Sequence, residues 1–394
     1  MKIVSVVGAR PNFMKVAPFC RALKAHKGVR HVLVHTGQHY DVKMSEQFFR
    51  ELGIPKPDVN LGIGSGSHAE QVGRTMIEFE KVLKKEKPDW VVVLGDVNAT
   101  CACSITAKKE HIKVAHIEAG LRSRDMDMPE EINRLVTDRL SDLLFTPDRL
   151  SNQNLKEEGV PASKIKFVGN IMIDTLERER AKAAKLDVNQ IVADNLIDEV
   201  EVKGRGRRRK GQFPSSTSTF NLNLVDGGYI GMTMHRPSNV DQRETLEPAI
   251  RFFLDEVSKK LPIVWAIHPR ARKMLQAFGL WDEVVKNPNM ILVEPLGYHA
   301  MLRLNMGAKM FMTDSGGLQE ECCVLGTPCL TMRWNTERPI TLQKHGGASI
   351  LVGNDIKKIR AAFRKELKAK RRPMRPEKWD GKTAERIAAI LCSK

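Results

Sequence analysis

Polar and apolar positions alternate in two rhythms along this chain. Short β-branched runs at Ile3 to Val7, Val32 to His35, Trp90 to Leu94 and Val114 to Ile117 are strand-sized. Between them, Pro11 to Lys24, Met44 to Leu52 and Thr100 to Glu110 are amphipathic stretches of helical length. Strand, helix, strand, helix in this order predicts a parallel sheet with helices on both faces. The rhythm returns at Ile230 to Thr233, Ile263 to Ile267, Ile291 to Val293, Lys309 to Met312 and Thr327 to Met332. The expected fold class is therefore α/β, with two Rossmann-like parallel-sheet lobes.

The length of 394 residues suits two domains, each able to bury its own core. The pattern divides them as a first lobe over 1–182, an irregular basic insertion or linker over 183–223, and a second lobe over 224–375. In the insertion, KGRGRRRKGQFPSSTSTF combines Gly, Ser, Pro and like charges without period. Within 376–394, Lys382 to Leu391 reads as a terminal helix able to pack back on the first lobe.

Charge changes this picture less than its total suggests. The excess is +17, but residues 203–210 carry six basic residues and residues 357–375 carry ten against Glu366 alone. These two clusters hold fifteen of the excess charges, so the rest of the chain is close to neutral. Solvated linker and helix surface is the ordinary reading of such runs, and nucleic acid is not the expected partner. Seven cysteines with no paired C-x-x-C spacing argue against a disulfide framework or a structural zinc site. No apolar run approaches the roughly 18 residues of a membrane span, and Met1-Lys2 leads directly into Ile3 without a signal-peptide pattern. A cytoplasmic location is expected, with no membrane partner.

In an open parallel sheet, ligands bind beyond the carboxyl ends of the strands. Polar residues in that position are Arg10 after the first run, Asp96 in VVVLGD, Glu118 in VAHIEAG and His235 in IGMTMHR. In KMFMTDSGGLQEE a strand runs through Ser315, Gly316 and Gly317 into a helix, whose first N–H groups suit an anion such as a diphosphate. Each has a plainer reading: Asp96 as a helix cap, His235 as a core histidine, Glu118 and Glu130 as surface carboxylates, Ser-Gly-Gly as a tight turn. Two carboxylates, a histidine and an anion nest at strand ends together favour a site.

The stretches GARPNFMK (8–15), TGQHYD (36–41), LGDVNAT (94–100), HIEAGLRSRDMDMPEEINR (116–134), MHRPSN (234–239), TDSGGLQEE (313–321) and TERP (336–339) resemble the non-hydrolysing UDP-N-acetylglucosamine 2-epimerases. The resemblance implies the glycosyltransferase-B architecture, a UDP-sugar in the interlobe cleft and a homodimer. It implies interconversion of UDP-N-acetylglucosamine and UDP-N-acetylmannosamine by inversion at C2, through anti elimination of UDP to 2-acetamidoglucal and re-addition, with no cofactor and no metal. The family's acid–base carboxylates then fall jointly on Asp96, Glu118 and Glu130, and its cleft histidine on His235. Substrate contacts fall on Arg10, Lys15, Ser315, Gly316, Gly317, Arg338 and, for the ribose hydroxyls, Glu321. Gln38, His39 and His268 match a second, activating sugar-nucleotide site of bacterial members, from which Asp41 and Pro237 depart; Leu296 and Met301 replace a glutamine and an aromatic found near the uracil in some members.

Three other activities use part of this inventory. A 2-epimerase of a diacetamido uronic acid sugar nucleotide would share the carboxylates and the nest. A hydrolysing epimerase would release UDP and free N-acetylmannosamine. A polyanion binder would use the two basic clusters instead, with steep salt dependence.

Overall fold

The computed structural model describes residues 1–37, 42–197 and 223–393, apart from the side chains of Arg10 and residues 42–46. Gln38, His39, Asp41 and the basic run 203–210 lie outside the described residues. The chain forms two compact units. The first comprises Met1–Ala181, Asn335–Gly347 and Pro373–Lys394, and the second Lys182–Trp334 and Ala348–Arg372.

In the first unit seven parallel strands form one sheet: β1 (Lys2–Val7), β2 (Arg30–His35), β3 (Val59–Asn60), β4 (Trp90–Leu94), β5 (Lys113–Ile117), β6 (Leu143–Thr146) and β7 (Ile165–Phe167). Their order is β3-β2-β1-β4-β5-β6-β7, so the direction of winding reverses between β1 and β4. The helices are α1 (Arg10–Lys24), α2 (Val42–Leu52), α3 (His68–Glu86), α4 (Asn98–Lys109), α5 (Pro129–Leu140), α6 (Arg149–Glu157) and α7 (Ile171–Ala183). Strands β1 and β4 are buried almost throughout, which is why they read as unbroken apolar runs rather than alternating ones. The C-terminal helix Thr383–Cys392 belongs to this unit, where buried Asp174 accepts hydrogen bonds from the Thr383 and Ala384 N–H groups at 3.1 and 2.7 Å.

The second unit opens with α8 (Val188–Asn195) and continues with six parallel strands: β8 (Ile230–Thr233), β9 (Ile263–Ala266), β10 (Met290–Val293), β11 (Met310–Thr313), β12 (Cys329–Thr331) and β13 (Ser349–Leu351). Their order, β10-β9-β8-β11-β12-β13, reverses between β8 and β11. Trp265, Phe253 and Phe311 are among its fully buried side chains.

Several elements differ from the sequence expectation. The pattern assigns residues 183–197 to the irregular insertion, yet α8 buries Val188, Ile191 and Val192 in the second unit's core. Eight residues with three apolar positions are too few to stand out beside a long charged run. Strands β3, β6, β7 and β13, of two to four residues, are too short to show a period in the sequence. Asn335–Gly347, expected in the second lobe, clusters with the first unit, where Asn335 Nδ2 donates to Asp125 Oδ2 at 2.8 Å.

Candidate functional site

The first unit collects charge at the reversal of its sheet. Gly95, at φ +67°, follows β4 and passes the chain to Asp96. Beyond β5, Glu118 holds a left-handed φ of +72°, a conformation that disfavours a side chain bearing Cβ and persists where the surroundings impose it. Here the Glu118 and Ala119 N–H groups both donate to the Phe145 carbonyl at 3.1 Å. The Glu118 carboxylate is buried and accepts from Lys15 Nζ, on α1, through Oε2. Its other oxygen, Oε1, is buried without a partner among the described residues.

Asp96 is partly exposed and accepts two hydrogen bonds from Arg134, at 3.0 Å from Nε and 2.8 Å from Nη2. Burial favours its neutral form, but Arg134, Lys15 and Arg338 outweigh burial and hold the carboxyl below the usual range. Arg338, reached through Asn335–Gly347, is buried and paired with Glu337. Lys15, Asp96, Glu118 and Arg338 are therefore brought into one electrostatic neighbourhood.

Helix α5 supports this cluster with a buried face that is charged instead of apolar. Glu131, Arg134 and Asp138 lie three and four residues apart on one side, and all are nearly inaccessible. Glu131 accepts from the Ser123 and Arg124 N–H groups at 2.9 Å, from the Ser123 hydroxyl at 2.8 Å and from Arg134. Its neighbour Glu130, the predicted acid–base residue, is half-buried and makes no hydrogen bond or ion pair with the described residues. The structure thus separates adjacent glutamates: one anchors the loop before α5, and the other has a carboxylate without a partner among the described residues.

In the second unit the corresponding reversal is occupied by His235 after β8 and Asp314 after β11. Asp314 is fully buried; its Oδ2 accepts from the His235 N–H at 2.9 Å, the Arg236 N–H at 2.8 Å and Asn239 Nδ2 at 3.0 Å. Its Oδ1 lies 2.7 Å from His235 Nδ1, which fixes the ring and leaves Nε2 as the edge for other partners. Burial favours neutral Asp314, but His235 and the backbone donors prevail and hold it far below the ordinary carboxylate range. The exposed His268 ring lies 5.5 Å from that of His235.

Ser315 caps the helix Gly316–Leu325, with its own N–H tied to Thr313 Oγ1 at 3.0 Å. The first N–H groups of that helix are therefore presented as anion donors on a pinned turn. Glu321 lies along the same helix and is buried, and burial pushes its carboxyl up to about 7, with Tyr298 and Asn305 offsetting part of the rise. Leu296 is buried and Met301 half-buried.

Asp314, Glu131, Arg134, His116 and Asp138 were not singled out by sequence reasoning. All except Asp138 stand inside the quoted motif stretches, so the motif boundaries carried the signal. Spacing gave a second one, because 131, 134 and 138 share a helix face.

The profile of the family described as UDP-N-acetylglucosamine 2-epimerase matches residues 21–392. The chain belongs to this family. The UDP-N-acetylglucosamine 2-epimerase of Methanocaldococcus jannaschii is 42% identical over 393 residues, covering 99% of each chain. That protein's crystal structure in complex with UDP-GlcNAc and UDP superposes with a TM-score of 0.86 at 40% identity, over the whole of both chains. A Pseudomonas aeruginosa family member, UDP-2,3-diacetamido-2,3-dideoxy-D-glucuronate 2-epimerase, is 39% identical over 90% of this chain and 88% of its own. The two-unit α/β architecture is thus that of the epimerase family.

Proposed function

We propose that this chain interconverts UDP-N-acetylglucosamine and UDP-N-acetylmannosamine by inverting C2. The observation that carries the reading is Glu118: a carboxylate on a left-handed turn, one oxygen held by Lys15 and the other buried without a partner among the described residues. Full-length identity of 42% to a named epimerase supports the substrate.

The hydrogen at C2 is weakly acidic, so inversion needs a base on one face and a proton donor on the other. Asp96, Glu118 and Glu130 share these roles. As the C2 proton leaves, the C1–O bond breaks and UDP departs, giving 2-acetamidoglucal. Protonation from the opposite face and return of UDP to C1 complete the inversion. The sugar ends at the oxidation level at which it began, so the sequence of steps needs no redox cofactor.

UDP is held in this reading by the N–H groups at Ser315, Gly316 and Gly317, by His235 and by Arg10, Lys15 and Arg338, with Glu321 on the ribose hydroxyls. Fixed donors suit a leaving diphosphate because they need not reorganise as charge develops. The domain assignment follows: the first unit carries the acid–base carboxylates together with Arg10, Lys15 and Arg338, and the second carries the diphosphate turn, His235 and Glu321. Homodimer assembly and a cytoplasmic location belong to the same reading. Exposed Ile77 on α3 and Ile132 on α5 are large apolar side chains that a second copy would cover. Among the described residues no helix is long and apolar enough to cross a membrane.

A second reading is favoured by the 39% identity to the diacetamido-glucuronate epimerase, which leaves the substituents at C3 and C6 open. Proton NMR of both candidate sugars with the protein separates the possibilities. UDP-N-acetylmannosamine is the expected product. Free N-acetylmannosamine would establish the hydrolysing activity, and turnover of the uronic acid alone would establish the second reading.

A further inference from the structure

Behind the turns that carry Asp96 and Glu118 lies a fully buried histidine that the proposed reaction does not touch. His116 sits on β5, and each of its ring nitrogens meets an oxygen. Nε2 is 2.8 Å from the carbonyl of Gly95, and Nδ1 is 2.6 Å from Asp138 Oδ1. The second oxygen of Asp138 accepts from the Gly120 N–H at 3.0 Å and lies 2.7 Å from Arg122 Nη1. Arg122 in turn holds Glu158 through two hydrogen bonds of 2.7 Å.

Gly95 immediately precedes Asp96, and Gly120 follows Glu118 by two residues. Both glycines have left-handed backbones, at φ +67° and +81°. Neither has a side chain whose packing could fix its peptide, so hydrogen bonds must do so. For Gly95 the N–H donates to the Ile117 carbonyl at 3.1 Å, and the carbonyl is held by His116. One continuous link, from the Gly95 carbonyl through His116 and Asp138 to the Gly120 N–H, therefore joins the two turns.

We infer that His116 and Asp138 form a positioning pair that sets the separation of the Asp96 and Glu118 turns, and that His116 carries a hydrogen on each ring nitrogen. The inference rests on the reading of Asp96 and Glu118 as acid–base residues. A neutral imidazole offers one donor and one acceptor, whereas both partners here are oxygens. The carbonyl of Gly95 can only accept, which assigns a hydrogen to Nε2. Arg122 and the Gly120 N–H both address Asp138 as donors, which favours its carboxylate form and assigns a hydrogen to Nδ1. A neutral ring would turn a lone pair towards one of these oxygens and release that turn. Neither residue touches the reacting atoms, so both are positioning residues.

Two measurements on the full chain test this. In protein labelled with ¹⁵N-histidine, long-range ¹H–¹⁵N spectra at pH 7.5 are expected to show both His116 nitrogens protonated, the signal being identified by its loss in His116→Gln. A neutral tautomer, with one unprotonated nitrogen, would overturn the assignment. In steady-state assays, Asp138→Asn keeps the shape of the side chain and removes its charge. It is expected to lower kcat about 100-fold, the scale of loss for a misplacement of about 1 Å, with KM and UDP affinity within about two-fold of wild type. Equal loss in Asp138→Asn and His116→Gln is expected, because both break the same link. Lower melting temperatures with unchanged kcat in the folded protein would reduce the pair to a structural ion pair and overturn the positioning role. If wild-type protein exchanges no C2 hydrogen in any UDP-sugar, the functional reading fails, and the nitrogen spectrum still decides the state of His116.

Discussion

The two units follow one plan and furnish it differently. Each winds parallel strands outward from a central pair, β1 and β4 in one and β8 and β11 in the other, and places polar residues just past that pair. The first unit fills this position with interlocked charged and polar pairs: the ion pairs of Lys15 with Glu118 and of Arg134 with Asp96 and Glu131, and the contact of His116 with Asp138. The second unit places the His235 ring against Asp314 and otherwise presents backbone N–H groups there, among the described residues. Groups that exchange protons need their charge and orientation set by permanent neighbours. A diphosphate that leaves and returns needs donors that are already aligned. Under the proposed function, the contrast suits the first unit's carboxylates to proton transfer and the second unit's helix N-terminus to the diphosphate.

Breaking the first unit's chemistry is expected to have the largest effect. Glu118→Gln should lower kcat by about 10³-fold, roughly 4 kcal/mol of barrier, with little change in KM, because general acid–base catalysis contributes on this scale. Steady-state kinetics read both parameters, and a raised KM with intact kcat would move Glu118 from proton transfer to binding.

In the second unit, Asp314→Ala leaves the His235 and Arg236 N–H groups and Asn239 without their buried acceptor. A loss of about 3 kcal/mol in stability is expected, measured by denaturant unfolding. Full stability would show that the His235 turn is held by its neighbours instead.

The pH dependence of stability sharpens the comparison further. Glu321 binds its proton more tightly in the folded state, up to about 7 against an ordinary value of 4.5, because it is buried. Its contribution is fully present below pH 4.5, declines as pH rises to about 7 and is flat above. Glu321→Gln should remove up to about 3 kcal/mol of that decline. Asp314 has the opposite sign, since its depressed folded value stabilises above the ordinary carboxylate range and is lost in acid. Urea midpoints across pH 2 to 8 check both, the Asp314 loss falling below about pH 4 and the Glu321 decline above it, and an unchanged slope in Glu321→Gln would contradict the burial argument.

The smallest effect on stability separates the paired glutamates. Glu131→Gln should cost about 2 kcal/mol, since four donors converge on that carboxylate. Glu130→Gln, with no partner to lose among the described residues, should stay within about 0.5 kcal/mol of wild type. Equal melting temperatures for the two variants would erase the distinction.

Much of this was legible in the sequence because the long buried strands and their following polar residues are adjacent in the chain. The apolar runs at Trp90–Leu94 and Ile230–Thr233 announce themselves, and Asp96 and His235 follow within two residues. Contacts made across the fold were not legible. That Asp138 reaches His116 from 22 residues away, or that Arg338 returns to the first unit, depends on tertiary packing that no local period records. Glu130 and Glu131 are chemically identical neighbours, and only the turn of α5 decides which one is buried. Short elements failed for a related reason: β3 and β7 owe their conformation to the strands beside them, not to their own two or three residues.

The most direct test of the division between the units is hydrogen exchange at C2. Incubated in D₂O with UDP-N-acetylglucosamine, wild-type protein should incorporate deuterium at C2 while UDP-N-acetylmannosamine accumulates, as followed by proton NMR. Glu118→Gln should bind UDP normally and exchange about 10³-fold more slowly. Exchange at the wild-type rate in Glu118→Gln, or loss of UDP binding in that variant, would contradict the account.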